Sequence, residues 1–572
     1  MQDQKIDDQL NLAMDVSEEE RRKSLELDVG YQERTRSWQV IVRYTGDLGA
    51  YASDEIQIVE LLGGYAIVTL PEDQIDAFAA LPEVEYMEKP RRLFFSVDQG
   101  RSVSCISSVQ AGPQGLLGKG VLVAVIDSGV DWRHSDFQTE DGKTRIVRLW
   151  DQTLPGSPPD GYSFGTEYTE EEINEALAGR REIATRDTSG HGTGVLGIAA
   201  GNGQASGGRY RGVAPEADIL VVKLGSPEPD GFPRTTELMQ AVDYAVRVAR
   251  SRNQPVAVNL SFGNTYGSHE GNSLVETFLD TMANQGRVSI AVGTGNEGAD
   301  GGHTSGTVRM GEIKEVALAI GENELTTNVQ LWKSYADEFD VLLITPWGTV
   351  LGPMRRIDNV QRFSARNTEI FVYYGTPSPY SSAQEIYFDF IPKSGVLDSG
   401  IWTFRLVPRR IVTGAYDFWL PSGQVRNPDT RFLRQTPDAT LTIPSAAAKV
   451  ISVGAYDSSN DSYAAFSGRG YTRQTNRIKP DLVAPGVEIM TTAPGGGYQE
   501  QTGTSFATPF VTGSAALLME WGILRGYDPY LYGEKLKAYL IRGARQLSAE
   551  AEYPNPRVGY GALCLADSFP AE

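Results

Sequence analysis

Between about residue 96 and residue 310 the chain alternates short runs of β-branched apolar residues with longer stretches whose apolar positions recur every three or four residues. VLVAVID (121–127), PVAVNLSF (255–262) and SIAVG (289–293) are continuous apolar runs, the pattern of strands buried on both faces of a parallel sheet. TTELMQAVDYAVRVARSRN (235–253) instead sets Leu238, Val242, Ala245, Val246 and Ala249 along one helical face. Strands alternating with helices predict an α/β domain with crossover connections. TIPSAAAKVISVGAYDSS and IKPDLVAPGVEI return to the same pattern late in the chain.

The pattern changes twice. From Ser37 the runs SWQVIVRY, ASDEIQIVELL, GYAIVTLP, PEDQIDAFAALPEV and VEYMEKPRRL give a β-α-β-β-α-β order, which suits a small ferredoxin-like module. Residues 1–36 before it are acidic and helix-like, with Ser17 and Glu20 spaced as a capping box. Between 311 and 436, TEIFVYYG, EIYFDFIP, GIWTFRLVPRR and GAYDFWLP are short aromatic strands parted by Gly, Pro, Ser and Asp turns, which predicts an inserted antiparallel β-sandwich or jelly roll. The expected partition is a helical extension (1–36), an accessory module (37–95), an α/β domain (96–310 and 437–572) and an inserted β-domain (311–436).

Composition narrows the partners. A formal net charge of -21, from 73 acidic against 52 basic residues, argues against nucleic acid or an anionic membrane surface. The polar opening and the lack of an apolar run of about 18 residues predict neither a signal peptide nor a membrane span. Cys105 and Cys564 are the two cysteines, so the chain has no disulfide framework, and both are free thiols unless this pair meets.

Three stretches carry chemistry. In QTGTSFATPFVTGSAALLME (501–520), Ser505 follows Gly503 and Thr504 at the start of an apolar helix, with Pro509 expected in its first turn. A helix N-terminus favours developing negative charge, which suits a nucleophile. Asp127 ends the apolar strand 121–126, at the edge where open α/β sheets place functional residues. In DTSGHGTGVLGIAAG (187–201), His191 opens a small-residue helix. The other histidines read differently: His134 as structural, His269 and His303 as solvent residues of Gly-rich loops. The segment EYTEEEINEAL reads as a surface helix or lid.

The chain order Asp127, His191, Ser505 is that of subtilisin. Through VAVIDSGVD, GHGTGVLGIAAG and GTSFATPFVTG the chain resembles the subtilase family of serine endopeptidases. That resemblance implies Ser505 as nucleophile, His191 as general base and Asp127 as its orienting carboxylate. It also implies Asn296, in SIAVGTGNEG, as oxyanion donor beside the Ser505 amide. Leu224 and Gly225 of VVKLG, and Leu260, Ser261, Phe262 and Gly263 of VNLSFG, would bind an extended peptide by strand addition. The module 37–95 resembles an inhibitory pro-domain, with self-cleavage expected near Phe95 and Ser96. Asp136 resembles a family calcium position, but the loop GNGQASGGRY offers no set of oxygen side chains, so neither metal nor cofactor is assigned. The acidic opening, pro-domain and inserted β-domain together resemble the Csp germination proteases of clostridial spores, of the CspB type. This implies a spore location, or a cytoplasmic one, and a cortex-lytic pro-enzyme as the protein substrate. The competing readings are an autoinhibited sensor acting through the cleft or β-domain, which the intact Asp127, His191 and Ser505 argue against, and a carbohydrate-binding β-domain.

Overall fold

A computed structural model describes residues 5–16, 21, 30–32, 34–61, 64–89, 96–113, 115–225, 233–356 and 360–570. The chain folds as two compact units, Met1–Phe95 and Ser96–Glu572.

In the first unit, strands Val84–Glu88, Ser37–Tyr44, Tyr65–Pro71 and Gln57–Leu61 lie side by side in that order, all antiparallel. Alternation along Ser37–Tyr44 and Tyr65–Pro71 sends Trp38, Val40, Val42, Ala66, Val68 and Leu70 into one core with Ile75 and Phe78 of the helix Ile75–Ala79. The ferredoxin-like order is present with one departure: a single 3-10 turn, Gly49–Tyr51, stands where the first crossover helix was expected. The helix Asp8–Asp15 is not a detached extension, because Leu10 and Ala13 are buried in the same core. The capping box at Ser17 and Glu20, and Phe95, lie outside the described residues.

The second unit is built on a sheet whose central strands, in spatial order, are Ile451–Asp457, Val288–Gly293, Val256–Leu260, Leu122–Asp127, Asp218–Lys223 and Ile146–Asp151, all parallel. Pleating divides Leu122–Asp127 between two layers. Leu122, Ala124 and Ile126 pack with Leu238, Val242, Ala245 and Leu279 of helices Thr235–Ser251 and Leu274–Ala283. Val123 and Val125 pack with Val195, Leu196, Phe510 and Val511 of helices His191–Ala200 and Thr504–Met519. Both faces are therefore covered, which is why the strands read as unbroken apolar runs rather than alternating ones. The segment around Glu170 forms the helix Glu170–Leu177, started by a capping box of Thr169 and Glu172.

The inserted region is a sandwich of two antiparallel sheets, with strands running from His303 to Phe432. Its aromatic residues fill the space between the sheets: Phe388, Phe390, Trp402, Phe404 and Phe418 are all buried. A buried ion network joins this sandwich to the parallel-sheet domain. The Arg473 guanidinium meets Glu270 at 2.8 Å and Asp417, of the strand Ala415–Trp419, at 2.6 Å. His269 and His303 depart from expectation here. Both are buried and stack on Trp419, with ring centroids 4.2 and 4.7 Å away. Their glycine-rich flanks signal loops, but His303 opens the sandwich strand His303–Thr307 and the sandwich covers the loop of His269. Cys105 and Cys564 meet as a disulfide, their Cα atoms 4.8 Å apart.

Arg473 is buried between two carboxylates, so Arg473→Met would strand both charges in a dry interface. It should destabilise the second unit by about 3 kcal/mol or more, read as a fall in the unfolding midpoint. An unchanged midpoint would show that the network does not join the sandwich to the parallel-sheet domain.

Candidate active site

Three parallel strands end level with one another. Leu260 is in register with Ile126 on one side and with Val292 on the other, so Asp127, Ser261 and Gly293 follow in a single row at the carboxyl edge of the sheet. What the next few residues do decides the site. After Asp127, the Ser128 hydroxyl donates to Asp187, and Asp187 accepts from the Gly190 amide and from the amide and hydroxyl of Thr193. Burial raises the Asp187 carboxyl, but these hydrogen bonds outweigh it and hold the group below the usual carboxylate range. Asp187 thus clamps the start of the helix His191–Ala200 onto the end of the Asp127 strand. Gly190 makes the turn into that helix at φ 76°, a conformation that disfavours a side chain.

Every residue of His191–Ala200 except His191 is buried. The same is true of Thr504–Met519, where Ser505 alone is not buried. Each helix is held along its length by core packing and presents one first-turn side chain at the sheet edge. His191 Nδ1 meets Asp127 Oδ1 at 2.7 Å, and the fully buried Asp127 also accepts from the Ser128 amide through the same oxygen. Burial lowers the His191 imidazole, but the Asp127 charge and hydrogen bond, with Asp187 behind them, outweigh burial and set it above the ordinary histidine value. The His191 ring lies 5.2 Å, centroid to centroid, from that of Phe506, the neighbour of Ser505.

The Ser505 hydroxyl donates to the Ser261 carbonyl at 3.3 Å. Pro509 lies in the second turn of its helix rather than the first, since the helix begins at Thr504. Having no N–H, Pro509 leaves the Ser505 carbonyl without its usual helical donor, and the Ser261 hydroxyl fills that place at 3.1 Å. Ser261 therefore fixes Ser505 from both sides. Asn296 accepts through Oδ1 from the Thr504 amide at 3.1 Å and the Thr504 hydroxyl at 3.3 Å, which leaves its Nδ2 as the donor toward the cleft.

A cavity of about 90 Å³ is lined by Ser505, Asn296, Ser261, Phe262 and Gly263 among others. Leu224 and Leu260 do not share it: both side chains are buried in the core layer beneath, so only their backbones can serve a substrate. The Gly225 amide is engaged by the Gln152 side chain. Asp187, Glu297, Ser422 and Thr442 are site residues that sequence reading did not single out. Asp187 opens the same motif as His191 and could have been found there. Ser422 comes from the inserted domain, and no local signal marks it. Asp136 is fully buried, with its carboxylate taken by the Tyr498 hydroxyl and the Ala205 amide. Among the described residues no group of three or more His, Cys, Asp or Glu forms a cage for a cation, and no helix is long and apolar enough to cross a membrane.

The chain is similar to known proteins over most of its length. Residues 4–91 match the family model described as the Csp protease B prodomain, and residues 118–383 and 427–561 match that of the subtilase family. The solved structure of the Clostridium perfringens CspB protease is 35% identical with a TM-score of 0.76, covering 82% of this chain and 96% of that one. Among curated proteins, the minor extracellular protease Vpr of Bacillus subtilis (strain 168) is 24% identical over 82% of this chain and 54% of its own length. The C5a peptidase of Streptococcus pyogenes serotype M18 is 25% identical over 78% of this chain and 40% of its own. The chain thus spans about half or less of the curated relatives it matches. With two segments that together cover most of its length, the chain belongs to the subtilase family of serine endopeptidases, with a CspB-type prodomain ahead of the peptidase.

Proposed function

We propose that this chain hydrolyses peptide bonds with Asp127, His191 and Ser505 as its catalytic triad, and that it matures by cutting itself between its two units, near Phe95 and Ser96. The observation that carries this reading is the 2.7 Å pair of Asp127 and His191, whose ring lies 6.4 Å, centroid to centroid, from Phe262 of the cavity that Ser505 and Asn296 also line. Each group has a separable task. With substrate bound, the Ser505 hydroxyl turns from the Ser261 carbonyl to His191 Nε2, which takes its proton as Oγ attacks the carbonyl carbon. Asn296 Nδ2 and the Ser505 amide hold the oxyanion. His191 then gives the proton to the leaving amine, and water completes the cycle on the acyl-enzyme through the same base. Asp127 keeps Nδ1 as the protonated nitrogen and stabilises the imidazolium.

The resemblance to the CspB protease, in prodomain as well as peptidase, supports a role in spore germination, with a cortex-lytic pro-enzyme as the protein substrate. Ser505-dependent shortening of such a pro-enzyme on mixing with the purified chain tests that role. An unshortened pro-enzyme beside an active peptidase would contradict it.

Four further outcomes follow. Intact mass of the purified wild type should show two fragments and that of Ser505→Ala one full-length chain; identical masses would contradict self-processing. Asn296→Ala should lower kcat by roughly 10²–10³, the scale for one oxyanion donor in subtilisin, and Asp127→Asn by roughly 10⁴, the scale for the trypsin triad. Because His191 must be neutral to act as base and its proton is held more tightly than usual, the acid limb of kcat/KM against pH should lie above about 6.5. A limb below that value would mean that Asp127 does not face His191 in the working enzyme.

A further inference from the structure

The inserted sandwich carries a second pocket, of about 490 Å³, where it meets the segment that leads into the helix Leu274–Ala283. Among the described residues it shares none of its lining with the cavity beside Ser505. Its floor is a row across one sheet of the sandwich. Glu385, on the strand Ala383–Pro392, stands opposite Trp332 of the strand Thr327–Ser334. On its other side is Gly375, whose amide donates to the Glu385 carbonyl. A Cβ on Gly375 would lie 3.9 Å from that of Glu385, so glycine leaves the space beside the carboxyl open. Tyr373 and Tyr380 line the same pocket and are 54% and 59% exposed. One wall is tied down: Asn272 and Ser381 both donate to Glu270 Oε2, at 2.9 and 2.8 Å, and Asn272 also donates to the Tyr380 carbonyl at 3.1 Å. Glu270 is itself held by Arg473, so this wall is in place before any ligand arrives.

Two polar groups of this pocket lack partners among the described residues. Trp332 Nε1 is buried without an acceptor. No hydrogen bond or ion pair from those residues reaches the half-buried Glu385 carboxyl, and burial alone pushes it up to about 7. Unpaired groups of this kind are costly, and they gather where a ligand completes them. The indole N–H only donates, whereas a carboxyl accepts and, when protonated, also donates. A hydroxyl-rich ligand answers both, because each hydroxyl can accept from one and bond the other. An organic cation would satisfy the carboxylate and leave the indole unpaired, and an anion would meet like charge. The exposed rings call for apolar surface as well. A sugar ring has both features: C–H faces that pack on aromatic side chains and a rim of hydroxyls.

We propose that this pocket binds a neutral saccharide, its hydroxyls bonded to Glu385 and the Trp332 indole and its C–H faces packed on Tyr373 and Tyr380. Ligand sites favour domain seams, and the volume is within the usual range for a small-molecule pocket. Such a site holds the chain on a glycan while leaving the cleft at Ser505 free, and it does not rest on the endopeptidase reading.

The test is calorimetric titration of the purified full chain with maltotriose, cellotriose and chitotriose as neutral sugars, choline as an organic cation and hexanoate as an apolar anion. At least one trisaccharide should bind with a Kd of about 1 mM or tighter, and choline and hexanoate should not bind. Replacing both exposed rings, Tyr373→Ala with Tyr380→Ala, should weaken sugar binding about tenfold and leave the unfolding midpoint where it was, because exposed positions contribute little to stability. Glu385→Leu should weaken it about tenfold as well without lowering the midpoint, since it removes an unpaired buried group. Glu385→Gln, which still donates and accepts, should keep the affinity within about threefold of the wild type. Failure of all three sugars to bind, binding of choline or hexanoate in their place, or sugar affinity unmoved by both Glu385→Leu and the double tyrosine variant would overturn the proposal.

Discussion

Burial of two helices along all but one residue each is the constraint from which the site follows. Thr504–Met519 and His191–Ala200 cannot slide or roll without exposing Phe510, Val511, Val195 or Leu196, so the one unburied side chain of each is held where the sheet ends. Catalytic geometry of this kind needs placement to a fraction of an ångström. Here it is set by the apolar core rather than by the polar groups themselves. Polar contacts then adjust what packing has positioned: Asp187 ties His191's helix to the end of the Asp127 strand, and Ser261 takes the carbonyl that Pro509 cannot.

The inserted sandwich is part of this arrangement rather than an appendage. It reaches the parallel-sheet domain through Arg473, Glu270 and Asp417 and through the stack of His269 and His303 on Trp419. Just beyond its strand Ala415–Trp419 the chain delivers Ser422 to the cavity beside Ser505, where its hydroxyl fixes one oxygen of Glu297. A domain inserted between Asn296 and Ser505 in sequence thereby bears on the pocket between them in space.

Much of this was legible in the sequence because it depends on local pattern. Apolar runs ending on Asp127 and Leu260, and small-residue helices opening at His191 and Ser505, mark strand ends and helix starts, and parallel α/β topology gathers strand ends at one edge. What was not legible depends on contacts between distant positions. Glu297 and Ser422 are 125 positions apart, and Cys105 and Cys564 are 459 apart. The burial of His269 needs a sandwich folded over its loop. Leu224 and Leu260 read as strand-end residues facing a peptide, but the packing that turns their side chains into the core cannot be read from a motif.

The central claim, that Ser505 is made nucleophilic by His191, is tested most directly by covalent labelling with a fluorophosphonate, followed by peptide mapping of wild type and His191→Ala. The account predicts a single phosphonylated residue, Ser505, in the wild type, and no labelling of a folded His191→Ala chain. Modification at another serine, or labelling of His191→Ala at the wild-type rate, would contradict it.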